Sequence, residues 1–448
     1  MLPTRAAALA VSALAAAAAA ALLAGVSLGL VVRASAAALA LLLAWAGIDL
    51  VRSRRAWAAS PVHVRRQAPP AFALGVATQV TLLLENAGTR TWQVEVFDEP
   101  DAAFSFEGLP QAITVGPGSR AVLRYTVTAL RRGPARFGRT QLRWRSLGAS
   151  FEMLQAVGEE QALRVYPNFA AVAGYAWLAG DRRLSQIGIK TYVQRGMGTD
   201  FHQLAEYSWG ESVRHIDWKA TLRQGKPIVR QYQDERDQRV FFLLDCGRRM
   251  RADEGGPQAG GSHFDQALNA LMLLGYVALK EGDEVGALTF GNPPGQQRDF
   301  APRKGVASLN ALMNRLYDIE PAPVHSDYMQ AARDLLQHFP RRALVIMLTN
   351  FRDEDASELR PALKLLRSRH LVMVASLRER VLRELAQQPI ARPEDAVDAA
   401  SALMFEQGRR DAFARVTGGD ALSVDVEPSQ LPAALVNRYH AVKKSGLL

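Results

Sequence analysis

Two apolar runs at the amino terminus restrict this chain more than any other feature. Residues 6–32 carry no charge and are dominated by Ala and Leu; residues 35–51 form a second run with Asp49 at its edge. Runs of roughly 18 residues or more can cross a bilayer as helices, and the second is near the lower limit. Only Arg33 and Ala34 separate them, so residues 1–58 read as a tight transmembrane helical hairpin. Arg52, Arg54, Arg55, Arg65 and Arg66 come next. A basic cluster after the last span places the chain beyond it on the cytoplasmic side. A signal peptide is the rival reading, with Arg5 as its basic region and Ala34-Ser-Ala36 as a cleavage-site pattern. The second run would then stop transfer and give the same orientation. Within the first run, Gly25-Val-Ser-Leu-Gly29 imitates a hydrolase nucleophile elbow, which needs a strand-to-helix turn on a folded sheet. In a membrane helix the same letters are a G-x-x-x-G packing face, and that reading is adopted.

The remainder carries a modest basic excess, 54 Lys and Arg against 44 Asp and Glu over the whole chain. That suits anionic headgroups or an acidic partner. There is no nucleic-acid recognition motif and no aromatic-basic repeat, so no nucleic acid is expected. Cys246 is the single cysteine, which excludes an intrachain disulfide and a Cys-based metal site.

Residues 59–166 show short alternating strands. Trp92, Val94 and Val96 alternate with polar neighbours, as do Leu123, Tyr125 and Val127, and Leu142 with Trp144. Asn86-Ala-Gly88, Gly116-Pro-Gly118 and Arg132-Gly-Pro134 mark turns between them. The pattern predicts an all-β, immunoglobulin-like sandwich. The arginines on its outer faces are expected to be solvated.

Residues 167–238 form a connector leading into a dense polar segment, and residues 239–448 alternate strand and helix. Arg239 to Leu244 is an apolar run ending in Asp245, as in a strand buried on both faces of a parallel sheet. Ser262 to Asp265 signals a helix start, with Leu268, Met272 and Tyr276 on its inner face, and Asp355 to Glu358 signals another. Further strands are expected over 283–290, 297–300, 343–348, 370–376 and 421–426, with helices between and after them. This is a doubly wound α/β domain, whose ligands gather beyond the carboxyl ends of the strands.

The polar segment carries a resemblance. Arg195-Gly-Met-Gly-Thr-Asp-Phe, Glu206-Tyr207, Gly210-Glu211, Arg214-His-Ile-Asp217-Trp218-Lys-Ala-Thr, Arg230 and Glu235-Arg236 resemble the signature of the "domain of unknown function 58" family. Ala205 and Glu211 depart from it, where a basic residue and Asp are usual. The resemblance extends over nearly the whole chain and implies a non-enzymatic interaction or scaffold role beside a MoxR-type AAA+ ATPase. The folded domains are then expected at the cytoplasmic face of a bacterial inner membrane.

The carboxyl-terminal domain resembles a von Willebrand factor A-like domain. That resemblance implies a Mg²⁺ site built from an Asp-x-Ser-x-Ser loop, a Thr and a second Asp, hard oxygen ligands as Mg²⁺ requires. Here the first loop reads Asp245-Cys-Gly247-Arg248-Arg249, the second offers Ser326 and Asp327, and the third Asn350 with Asp353 beyond it. Both hydroxyls of the first loop and the third-loop carboxylate are missing. No cofactor is expected, and Asp245 is expected to pair with Arg248 or Arg249 instead.

Arg214, Asp217, Trp218, Arg223 and Arg230 admit two readings: a partner-binding surface, or an internal Arg–Asp pair and a buried Trp that dock the segment. A metal-dependent ligand-binding domain, or a hydrolase or nuclease using Asp217 and Asp245, is the alternative to the scaffold role. No histidine spacing suits a metal, and no nucleophile–base motif appears.

Overall fold

The computed structural model describes residues 1–168, 200–208, 213–233, 238–253, 261–418 and 422–447. Of the signature, residues 195–199, Gly210, Glu211, Glu235 and Arg236 lie outside these. The chain divides into two compact units, Met1–Phe72 with Val76–Val165, and Ala73–Gly75 with Tyr166–Leu448.

The first unit opens with strand β1 (Leu2–Pro3) and helix α1 (Arg5–Leu23), then helix α2 (Leu28–Ala59). Both helices are long and apolar enough to cross a membrane. At about 1.5 Å per residue α1 reaches roughly 28 Å and α2 roughly 48 Å, so α2 exceeds a hydrocarbon core of about 30 Å. The break between them is not at Arg33, as the sequence suggested, but at residues 24–27, where Gly25 takes a positive φ of 81°. A left-handed residue stops a helix more effectively than one arginine does, because a long cation can lie along the helix surface. Arg33 does so, donating from Nε to the Gly29 carbonyl at 3.0 Å. The Gly25–Gly29 pattern is therefore a turn and not a packing face, and a Cβ at Gly29 would meet no atom within 4 Å.

Strands β2 (Val62–Gln67), β3 (Ala71–Ala73), β4 (Ala77–Asn86), β5 (Trp92–Phe97), β6 (Phe104–Glu107), β7 (Gln111–Val115), β8 (Ser119–Ala129), β9 (Gly133–Phe137), β10 (Thr140–Arg145), β11 (Phe151–Val157) and β12 (Gln161–Tyr166) come after the hairpin. They form sheets ordered β2-β4-β8-β6, β1-β11-β10-β5-β7 and β3-β12-β9. The alternating residues read from the sequence are the inward ones. Leu82 and Leu84 of β4, Leu123 and Val127 of β8, Val94 and Val96 of β5, and Leu142 of β10 share one core. Arg66 departs from the expected basic cluster. Its guanidinium is buried and bidentate on Asp98 (2.6 and 2.8 Å), which also accepts from Tyr125 Oη and Thr140 Oγ1. A buried arginine needs such a carboxylate, whereas Arg52, Arg54, Arg55 and Arg65 stay exposed.

The hairpin is fastened to the turn between β10 and β11. Asp49 of α2 accepts from Ser146 Oγ at 2.5 Å, Gly148 N at 2.5 Å and Ser150 N at 3.2 Å. Trp57 stacks on Trp144, with centroids 4.8 Å apart and planes 6° from parallel. At the other end of the hairpin, Thr4 N donates to the Ser150 carbonyl at 3.1 Å and β1 pairs antiparallel with β11. Both ends of the hairpin thus meet one loop of the β-unit.

In the second unit, β13 (Asp200–Glu206) pairs antiparallel with β14 (Ile228–Gln233), and helix α3 (Trp218–Gln224) lies between them in sequence. Then come β15 (Arg239–Asp245), α4 (His263–Lys280), β16 (Glu284–Phe290), β17 (Asp299–Arg303), α5 (Ala307–Leu316), α6 (Tyr328–His338), β18 (Leu344–Thr349), α7 (Ala356–Arg367), β19 (Leu371–Leu377), α8 (Arg380–Gln387), α9 (Pro393–Thr417), β20 (Val424–Val426) and α10 (Leu431–Ser445). The sheet order is β17-β16-β15-β18-β19-β20, parallel except for the antiparallel edge strand β17. This is the 3-2-1-4-5-6 order of doubly wound sheets, with its switch point between β15 and β18. Val240, Phe242 and Leu244 face one apolar layer with Leu268 and Leu435, while Phe241 and Leu243 face another with Leu335 and Leu363. The expected box at α4 forms, Ser262 Oγ accepting from Asp265 N. The expected cap at Asp355 does not: its carboxylate accepts from Arg352 N at 3.2 Å, holding the turn before α7 instead.

Candidate functional site

Asp245 ends β15 at the switch point and is fully buried. Its Oδ1 accepts from Ser326 Oγ at 2.5 Å and Gly247 N at 2.8 Å, and its Oδ2 from Thr349 Oγ1 at 2.7 Å. Tyr328 Oη lies 3.0 Å from Thr349 Oγ1, so a donor chain runs from Tyr328 through Thr349 to the carboxylate. Burial pushes the Asp245 carboxyl above the usual range, opposed by the donors from Ser326, Thr349 and Gly247.

The expected Arg248 or Arg249 partner is thus a misreading. Two hydroxyls and an amide satisfy both oxygens of Asp245. Arg249 turns to Glu354 and to Asp355, the latter at 3.3 Å. Of the metal candidates, only Ser326 meets Asp245. Asp327 caps α6, accepting from Gln330 N at 2.8 Å, and Asn350 donates from Nδ2 to the Arg249 carbonyl at 3.2 Å. Thr349 carries no sequence signal as a partner of Asp245, because it closes an apolar strand 104 residues away.

These residues do not suit a divalent cation. Both Asp245 oxygens are engaged by donors, and a Cβ on Gly247 would lie 2.0 Å from Ser326 Oγ. The hydroxyl that a Mg²⁺ loop would carry there has no room. Among the described residues no cluster of three or more His, Cys, Asp or Glu could hold a metal. Ser326 is 3 % exposed and has a carboxylate, not an imidazole, as its partner. The arrangement ties the ends of β15 and β18 to the loop between α5 and α6; it offers no poised nucleophile.

The polar signature has the opposite character. Asp217 caps α3, accepting from Lys219 N at 3.0 Å and Ala220 N at 3.1 Å, and pairs with Arg230 Nε at 2.9 Å. The Ala220 amide and the Arg230 guanidinium hold its carboxyl below the usual range. An Arg–Asp pair is therefore present, but between Asp217 and Arg230. The buried Trp is not: Trp218 is 67 % exposed and Leu222, one turn on, is 85 % exposed. Arg214, Lys219 and Arg223 are exposed in the same segment. The sequence signal for this surface was the i, i+4 spacing of Trp218 and Leu222 on an otherwise polar helix.

The family model described as "Protein of unknown function DUF58" matches residues 203–422, and that match supports the DUF58 family for this chain. No curated protein matches. Among solved structures, the chain is similar to native alpha-2-macroglobulin from Escherichia coli, spanning domain MG7 to the C-terminus, at 22 % identity and TM-score 0.22, covering 24 % of this chain and 17 % of that one. It is also similar to a FixG-related protein from Vibrio parahaemolyticus at 17 % identity and TM-score 0.17, covering 24 % and 96 %. A CARDB domain from Pyrococcus furiosus is similar at 13 % identity and TM-score 0.20, covering 24 % and 93 %. The chain spans 17 % or less of the length of the alpha-2-macroglobulins it matches.

Proposed function

We propose that this chain is a membrane-anchored, non-enzymatic interaction protein that serves a MoxR-type AAA+ ATPase in a chaperone or assembly system. Helices α1 and α2 anchor it in a bacterial inner membrane, with an immunoglobulin-like sandwich and a von Willebrand factor A-like domain on the cytoplasmic side. The exposed Arg52, Arg54 and Arg55 in the last turns of α2, with Arg65 just beyond it, support that orientation. The 3-2-1-4-5-6 sheet with an antiparallel edge strand supports the second domain type.

The observation that carries the proposal is the exposed Trp218–Leu222 pair beside Arg214, Lys219 and Arg223. A tryptophan and a leucine left in water at adjacent turns cost free energy that a partner would recover, and tryptophan is enriched at binding hot spots. The basic residues beside them would steer an acidic partner surface. Purifying the full-length protein from native membranes in mild detergent, with mass spectrometry of what accompanies it, tests the reading. A stoichiometric AAA+ ATPase is expected; consistent recovery without any ATPase would overturn it.

A further inference from the structure

A cavity of about 360 Å³ opens at the amino ends of β15 and β18, the opposite end of the sheet from Asp245. Its floor is aromatic: Phe241 and Phe339 lie with ring centroids 4.5 Å apart. Gly286 stands opposite Phe241 in the β15–β16 register. A Cβ there would come within 2.8 Å of the Phe241 ring and 2.9 Å of Pro302 Cγ, so the glycine lets both line the cavity.

Polar groups are set into this apolar wall. His370 is 4 % exposed, and neither of its ring nitrogens has a hydrogen-bond partner among the described residues. Buried polar atoms are nearly always paired, so an imidazole with two idle nitrogens on a cavity wall points to a missing partner. Burial, helped by the neighbouring Arg369 charge, pushes this histidine down, so at neutral pH it offers one N–H donor and one acceptor. Arg341, exposed, also lines the cavity, while Arg239 is already occupied by Glu284 at 2.5 Å.

From this juxtaposition we infer that the cavity is a binding site for a small apolar carboxylic acid, its carboxylate held by Arg341 and the His370 N–H and its body lying on Phe241 and Phe339. The volume sits at the small end of ligand pockets, and a mostly apolar lining with a few placed polar groups is their usual make-up. A bare inorganic anion would leave the aromatic floor uncovered. The site is independent of the Trp218 surface.

The test is calorimetric titration of the full-length protein in detergent with 4-phenylbutyrate and indole-3-propionate. Arg341→Ala and His370→Leu serve as variants, and 4-phenylbutanol and inorganic phosphate as controls. Saturable binding of at least one acid is expected, weakened tenfold or more by each variant, with the alcohol tenfold weaker. Arg341 is exposed, so its variant folds even if the histidine variant does not. The inference fails if neither acid binds saturably, if Arg341→Ala binds as the wild type does, or if inorganic phosphate displaces the acid at equal concentration.

Discussion

Asp49 and Gly148 approach so closely that a Cβ on the glycine would lie 2.8 Å from the aspartate Cγ. A glycine at this position lets the β10–β11 turn wrap the carboxylate with its own amides. Because Asp49 sits on α2 and Gly148 in the β-unit, hairpin and sheets share one polar lock beside the stacked Trp57 and Trp144. Asp49→Ala leaves two amides and the Ser146 and Ser53 hydroxyls without this acceptor. A loss of about 2–4 kcal/mol is expected. Thermal unfolding of the full-length protein in detergent reads it, and Gly148→Ala should lower the melting temperature as well. Unchanged melting in both would show that the lock contributes nothing.

Asp245 leads to a prediction of opposite sign for two substitutions. Burial raises its folded pKa, so its stabilising contribution is fully present below the ordinary Asp value and is lost as pH rises through the raised one. Asp245→Asn keeps the shape without the buried charge, and its melting temperature should gain on the wild type as pH rises above the ordinary Asp value. Asp245→Ala strands three donors and should cost about 2–4 kcal/mol at neutral pH. Millimolar Mg²⁺ should shift the wild type no further than a monovalent salt of equal ionic strength, since a ligand that binds the folded state must stabilise it. A rise of several degrees with Mg²⁺, abolished in Asp245→Ala, would restore a metal site.

Glu281, at the carboxyl end of α4, leads to a prediction about acid stability. Burial pushes its carboxyl up, but the His440 hydrogen bond and the Lys443 ammonium prevail and hold it at about 2. Such a group stabilises fully above the ordinary glutamate value and loses that contribution as pH falls from there towards 2, on the order of 3 kcal/mol. Asp283 shares Lys443 and is shifted upward by burial, which opposes the trend. The comparison is therefore between the wild type and Glu281→Gln, melted from pH 5 to pH 2.5. The wild type should fall further than the variant. Parallel curves would contradict the assignment.

Much of the architecture was legible because it rests on periodicity. Alternation marked Leu142, Leu123 and Val94 as core, and the apolar run from Arg239 marked the central strand. The hairpin break was misplaced because composition marks apolar stretches, whereas Gly25 ends the helix through its backbone conformation. The site was half legible. Asp245 was evident from its place after the strand, but its partners Ser326 and Thr349 lie 81 and 104 residues away in sequence. Only the fold brings them together, and no local pattern signals that hydroxyls would outcompete Arg249. The exposure of Trp218 was equally hidden, since a tryptophan beside a core strand is more often interior.

The most direct test of the central proposal is a binding measurement on the signature helix. Full-length protein carrying Trp218→Ala with Leu222→Ala, and separately Arg214→Glu, is compared with the wild type for retention of the co-purifying AAA+ ATPase, with melting temperature measured alongside. The double variant should lose at least tenfold of the association with melting unchanged within a degree or two, as removal of a solvent-exposed hot spot requires. Arg214→Glu should slow association and flatten its salt dependence. Full retention of the ATPase by a normally folded double variant would contradict the account.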